Sequence, residues 1–214
     1  KWNASVYDVS NKNNISFLAN QTTPRDFCHN AWISDDGNSL FTTDEKSGAW
    51  IGSYDVSDMG NISEIDRWRT PNPSTTPHNV HTYNDYLVIS YYTDGLIILD
   101  ASRPNNLIEV GRYDTYFAQP ETGFYGAWGA YPFSPSGSIY ISDINSGLYV
   151  LQPNYQRACW LEGQVTDQQS GANLFDVQVN IINHQQEDNT DLNGLYKTGT
   201  GLSGTYTVEY KKAG

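Results

Sequence analysis

Two cysteines in 214 residues are too few for a disulfide framework. Cys28 and Cys159 leave two alternatives, one long-range bridge or two buried free thiols. Basic residues are scarce as well, 12 Lys and Arg against 24 Asp and Glu, for a net charge of −12. That deficit argues against nucleic acid and anionic membrane surfaces, which both need a basic face. The acidity serves solubility, or else some carboxylates hold calcium; the sequence leaves the cofactor unknown, with calcium or none as the candidates. The chain has no run of about 18 apolar residues, the length a membrane-crossing helix requires. No stretch keeps apolar residues at i, i+3, i+4 and i+7 over three turns, so helices are not expected. Gly-x-Ser-x-Gly, His-Glu-x-x-His and phosphate-loop patterns are missing too.

What is plentiful points to strands. There are 16 Tyr and 6 Trp, broad side chains that pack well on a pleated surface. Eighteen Gly and nine Pro, with many Asn and Asp, punctuate the chain with turns. One phrase recurs: Tyr7-Asp8-Val9-Ser10, Tyr54-Asp55-Val56-Ser57, Leu99-Asp100-Ala101-Ser102, and a decayed copy at Leu148-Tyr149-Val150-Leu151-Gln152. The aspartates stand at 8, 55 and 100, spacings of 47 and 45 residues. A strand-rich period of about 40–50 residues is the signature of a β-propeller, with one blade to each repeat.

Each repeat reads as four strands. The clearest predicts strands over 29–34, 39–44, 49–56 and 61–68; the next over 78–83, 86–91, 96–100 and 107–113. A third runs from Trp128 through 138–143 and 148–151, and the residues from Ala4 to Thr22 supply two strands of an earlier blade. The second and third strands of each repeat are nearly continuous apolar runs, so burial on both faces is expected. Three blades do not close a ring, since propellers typically have about four to eight. Further blades are therefore expected upstream of Lys1, where Lys1-Trp2-Asn3 reads as an internal start. From Leu161 the texture changes to shorter alternating strands, with 174–181 apolar at every second position.

Gly95-Leu96-Ile97-Ile98-Leu99-Asp100-Ala101-Ser102 with Pro104, Tyr54-Asp55-Val56-Ser57, and the leading His29-Asn30 and His78-Asn79 resemble the LVIVD-repeat propellers of the choice-of-anchor B family. Gly163-Gln164-Val165-Thr166-Asp167, Thr190-Asp191-Leu192-Asn193-Gly194-Leu195-Tyr196 and Gly204-Thr205-Tyr206-Thr207-Val208 resemble a carboxypeptidase regulatory-like domain, a small Greek-key β-sandwich. The implied organisation is all-β. Residues 1–155 form propeller blades, the C-terminal part of a larger propeller, and 156–214 form a sandwich that stops short of its final strands. The resemblance further implies an extracellular or cell-surface bacterial protein whose sandwich is a non-catalytic spacer. An oxidising compartment would allow Cys28 and Cys159 to pair.

Candidate chemistry collects at the first strands. His29, His78 and Trp128 align across the repeats, followed on the same strands by Trp32, His81 and Tyr131. Propeller first strands line the central channel, so these six are the candidate ligand-binding residues. Imidazoles are common metal ligands, but no Cys or carboxylate at metal-ligand spacing accompanies them; the bland alternative is hydrogen bonding between strand ends. Asp44, Tyr91 and Asp143 align at the ends of the second strands, and the two aspartates are weak metal candidates or caps of the following turn. Asp191-Leu192-Asn193-Gly194 has a calcium-loop look, but the twelfth position is Leu202, which favours a hairpin turn. Three functions follow from this reading. The first is a non-catalytic platform for a cell-surface protein or glycan. The second is a propeller hydrolase or lyase with a histidine site at the channel mouth, and the third a structural subunit assembling with other chains.

Overall fold

The computed structural model describes residues 2–118, 123–184 and 187–212. The protein is all-β: eighteen strands in six small sheets, none closed, with no helix among the described residues. Consequently no described helix is long and apolar enough to cross a membrane. The chain divides into two compact units, Lys1–Leu107 with Gly111–Tyr155, and Ile108–Val110 with Gln156–Gly214.

In the first unit, β1 (Ala4–Asp8) pairs with β2 (Ser16–Gln21). A four-stranded antiparallel meander follows: β3 (Cys28–Ile33), β4 (Ser39–Asp44), β5 (Ile51–Asp55) and β6 (Ser63–Trp68). The same order recurs in β7 (Asn79–Tyr83), β8 (Tyr86–Ser90), β9 (Leu96–Asp100) and β10 (Ile108–Tyr113), of which Ile108–Val110 count with the second unit. A three-stranded sheet of β11 (Ala127–Tyr131), β12 (Ile139–Asp143) and β13 (Gly147–Leu151) completes the series.

The recurring phrase has a local physical cause. Asp8, Asp55 and Asp100 each close a strand and turn a carboxylate onto the backbone N–H two residues on. Those N–H groups belong to Ser10, Ser57 and Ser102, at 2.8, 2.9 and 2.9 Å. Such side-chain-to-backbone bonds offer the chain an alternative to the ladder and so end the strand at that residue.

The core lies between the two four-stranded sheets. Phe41 and Ile51 of one and Leu87, Ile89, Ile97 and Leu99 of the other belong to a single buried cluster. Each such side chain, fully buried, stabilises by about 1.5–3 kcal/mol. Strands β4, β5, β8 and β9 are buried almost throughout, as their apolar runs lead one to expect. Strands β12 and β13 are not, because alternate residues stay exposed, among them Tyr140, Leu148 and Val150. Tyr7, Phe17 and Leu18 of β1 and β2 are exposed as well. Both ends of the series thus present uncovered apolar faces.

The repeated His-Asn pairs stitch one sheet to the next. Asn30 Oδ1 accepts the Val80 N–H at 3.0 Å, and Asn79 Nδ2 donates to the Trp128 carbonyl at 3.3 Å. Thr43 Oγ1 donates to the His78 carbonyl at 2.5 Å.

In the second unit, β14 (Cys159–Gln164) pairs with β17 (Leu195–Thr200), while β15 (Val177–Ile181) lies between β16 (Glu187–Asn189) and β18 (Val208–Lys212). Val177, Val179 and Ile181 are buried, the period-two face read from the sequence. A 2.8 Å contact between the Tyr196 and Tyr210 hydroxyls joins the two small sheets. Asp191 Oδ1 accepts from the N–H groups of Asn193 and Leu195, at 2.8 and 2.9 Å, so its carboxylate serves the turn at Gly194.

Candidate functional site

Three neighbouring sheets bring equivalent positions together at the heads of their first strands. His29 and Trp128 occupy β-bulges, between Cys28 and Asn30 in β3 and between Ala127 and Gly129 in β11. A bulge inserts one residue and re-aims its side chain. His78 holds the matching place just before β7, where its N–H bonds the Ser90 carbonyl. The His29 and His78 rings stack at 4.4 Å between centroids, and His78 meets Trp128 at 5.3 Å.

A carboxylate lies against this row. Glu45 follows β4 directly. Its Oε2 is 3.3 Å from His29 Nδ1, and its Oε1 is 3.6 Å from His78 Nε2. Oε1 also accepts the Tyr92 hydroxyl at 2.6 Å. Tyr92 reaches it from a backbone at φ +34°, a conformation that costs a non-glycine residue about 1–3 kcal/mol. His78 Nδ1 bonds the Trp128 carbonyl, which also accepts from Ser90 Oγ at 3.0 Å. Burial pushes the His78 imidazole below its ordinary pKa, against the opposing pull of the Trp128 carbonyl. It pushes the Tyr92 phenol up, and the Glu45 carboxylate acts in the same direction. Among the described residues, His29, Glu45 and His78 are the one group whose metal-type donor atoms all lie within 4.8 Å of one another. Two imidazoles and a carboxylate so placed can hold a metal ion or pass a proton.

The second set forms a different cluster. Trp32 packs on His81 at 4.6 Å, and both meet Phe133, at 5.6 and 5.7 Å. Tyr131 reaches the same Phe133 ring at 5.4 Å. His81 Nδ1 is buried with no hydrogen-bond partner among the described residues, and burial lowers its pKa below 6.5.

A pH dependence follows. The unfolded chain takes up the His81 proton first, so this residue's contribution to stability is complete above about pH 6.5 and is lost as pH falls through that value toward the lower folded one. Denaturant titrations from about pH 7 to pH 5 should show the unfolding free energy falling, and falling less in His81→Phe. His78 shifts in the same direction, so part of the slope remains. A slope unchanged in His81→Phe contradicts the assignment.

The aspartates serve the backbone. Asp143 Oδ1 accepts the N–H groups of Asn145 and Ser146 at 2.8 and 2.7 Å, capping its turn. Asp44 instead accepts the Arg25 N–H at 2.5 Å, tying down the segment before β3; burial raises its carboxyl above the usual range. The aligned Tyr91 donates to the Ala49 carbonyl at 3.1 Å. Cys28 and Cys159 are both free thiols in this structure, Cys28 half-buried and Cys159 exposed. The Cys28 Sγ is 3.7 Å from the Asn30 carbonyl, and burial, helped by Asp44, pushes the thiol up to about 11.

Glu45, Tyr92 and Phe133 were missed in the sequence. A signal existed for two of them. Glu45 and Tyr92 both stand three residues before the glycine of their second turn, Gly48 and Gly95, so they are equivalent positions of successive repeats. The expectation that no carboxylate backs the histidines is therefore corrected: Glu45 is distant from His78 in sequence, and folding sets its carboxylate beside both rings. Comparison with protein-family models and with curated proteins found no match for this chain.

Proposed function

We propose that the chain belongs to a secreted or cell-surface, non-catalytic protein. Its repeated sheets are blades of an LVIVD-type β-propeller, and residues 156–214 are a carboxypeptidase regulatory-like spacer. The propeller is the interaction platform, and a cell-surface protein or glycan is its partner. The observation that carries this reading is the aromatic surface at the first strands. Trp128 and Tyr131 are 52% and 51% exposed, while packing against His78 and Phe133 holds their rings in place. Rigid aromatic rings give large contact area at low entropy cost. The meander order of the sheets supports the blade assignment, as do the uncovered apolar faces at both ends of the series, where a further blade would stack. The extracellular location rests on the resemblance of the repeat motifs.

The test is retention of the intact protein on bacterial cells and extracellular matrix. Trp128→Ala with Tyr131→Ala should weaken retention by about tenfold or more, the effect of removing aromatic anchors worth about 1.4 kcal/mol or more together. A folded sample that retains nothing, or a double variant that binds as well as the wild type, counts against the platform.

A second reading, a propeller hydrolase or lyase, is favoured by the placing of Glu45 beside both His29 and His78. Turnover of ester, phosphoester or glycoside substrates, lost in Glu45→Gln, would favour it over the platform.

A further inference from the structure

We infer that His29, Glu45 and His78 form a binding site for a divalent transition-metal ion of the zinc type, held by two imidazole nitrogens and one carboxylate with its remaining positions open. Histidine nitrogen with a single carboxylate suits zinc and its neighbours, whereas calcium takes about six to eight oxygens. The spacing fits as well. Bonds of about 2.0–2.1 Å in a tetrahedral arrangement set ligand atoms about 3.3 Å apart. The two nitrogen-to-carboxylate separations are 3.3 and 3.6 Å. The remaining separation, between the imidazoles, is no more than 4.8 Å and closes by rotation of the more exposed His29 ring.

The hydrogen bonding around His78 is the independent argument. The Trp128 carbonyl can only accept, so His78 Nδ1 carries the hydrogen it shares with that oxygen. The neutral ring then turns the lone pair of Nε2 toward Glu45 Oε1, an acceptor already engaged by the Tyr92 hydroxyl. Two acceptors facing each other are unfavourable unless a cation or a proton lies between them. Metal-binding histidines characteristically give their other N–H to a carbonyl or carboxylate, which fixes ring orientation and tautomer. The Trp128 carbonyl does this for His78, and Tyr92 orients Glu45. Side-chain exposure falls from 34% at His29 through 18% at Glu45 to 3% at His78, so the ion enters from the His29 side.

The inference does not depend on the platform reading, since a bound metal without turnover fits a binding protein and one with turnover fits an enzyme. The experiment uses tag-free protein, stripped with chelator and titrated with zinc sulfate by calorimetry, with cobalt absorption reporting the ligands. Wild type should take one zinc ion per chain, and calcium should not compete. His29→Ala and Glu45→Gln should each lower affinity at least tenfold, and Tyr92→Phe by about tenfold, in the range found when a residue supporting a ligand is removed. His184→Ala should bind as wild type. His78→Ala empties a buried position, so the exposed His29 carries the decision if that variant fails to fold. A folded wild type that binds no zinc overturns the inference, as do displacement of zinc by calcium and equal zinc binding in His29→Ala and Glu45→Gln.

Discussion

Replacing Leu99 by Ala will lower the unfolding free energy of the first unit by about 2–5 kcal/mol, the cost of emptying a well-packed core position. Leu99 is fully buried in the LIILD strand β9, where it pairs with Leu87 of β8. It belongs to the cluster that includes Phe41, Ile51 and Trp68 of the neighbouring sheet. Strands β8 and β9 are buried along their whole length, so the position is packed on all sides. Set against a typical total of about 5–15 kcal/mol, the loss is large enough to leave a measurable unfolded fraction at moderate denaturant. Guanidinium titration followed by tryptophan fluorescence should show a lower midpoint at unchanged slope. A loss under about 1 kcal/mol would mean that the sheets do not share one core.

Gly95→Ala will be at least as damaging, about 3 kcal/mol or more, through a different cause. Gly95 makes the turn between β8 and β9 at φ +74°. A Cβ there would stand 2.2 Å from the Tyr113 carbonyl oxygen and 2.9 Å from the Thr115 nitrogen. Both are backbone atoms, which cannot swing aside as a side-chain tip can. Gly37 provides the comparison. Its φ is +76°, but nothing lies within 4 Å of its Cβ position. Gly37→Ala should therefore cost only the left-handed conformational term, about 1–2 kcal/mol. Equal losses in the two variants would show that conformation, not close approach, governs Gly95.

Much of the strand layout was legible because each repeat carries its own punctuation. The Asp-x-Ser phrase ends strands at Asp8, Asp55 and Asp100 by a bond internal to the phrase, so its meaning survives without tertiary context. The His-Asn pairs were legible as repeats, but not as stitches, since Asn30 and Asn79 bond to the following sheet. Strand β16 went unread because Glu187-Asp188-Asn189 has no apolar alternation. Leu148 and Val150 belong to an apolar run, yet they remain exposed. Such a run states what a face would tolerate, and a neighbour must still be present to cover it.

The site divided along similar lines. Alignment of the repeats reached His29, His78 and Trp128, because equivalent positions of stacked sheets become neighbours. It did not reach Glu45, which lies one residue beyond its strand. Tyr92 stands three residues before Gly95, as Glu45 does before Gly48, but its left-handed backbone hides where the ring goes; Phe133 lies in the loop after β11. The bulges matter most here. They put His29 and Trp128 beside His78, although their strands otherwise follow simple alternation.

On the proposed reading, the heads of the first strands are the working surface, organised around His29, Glu45 and His78. X-ray absorption of the zinc-loaded, tag-free protein tests it most directly. The predicted spectrum has two imidazole nitrogens and at least one oxygen at about 2.0–2.2 Å around the metal, with one imidazole lost in His29→Ala. Sulfur scattering at about 2.3 Å would place the ion at a cysteine instead, and a zinc shell free of imidazole would contradict the site altogether.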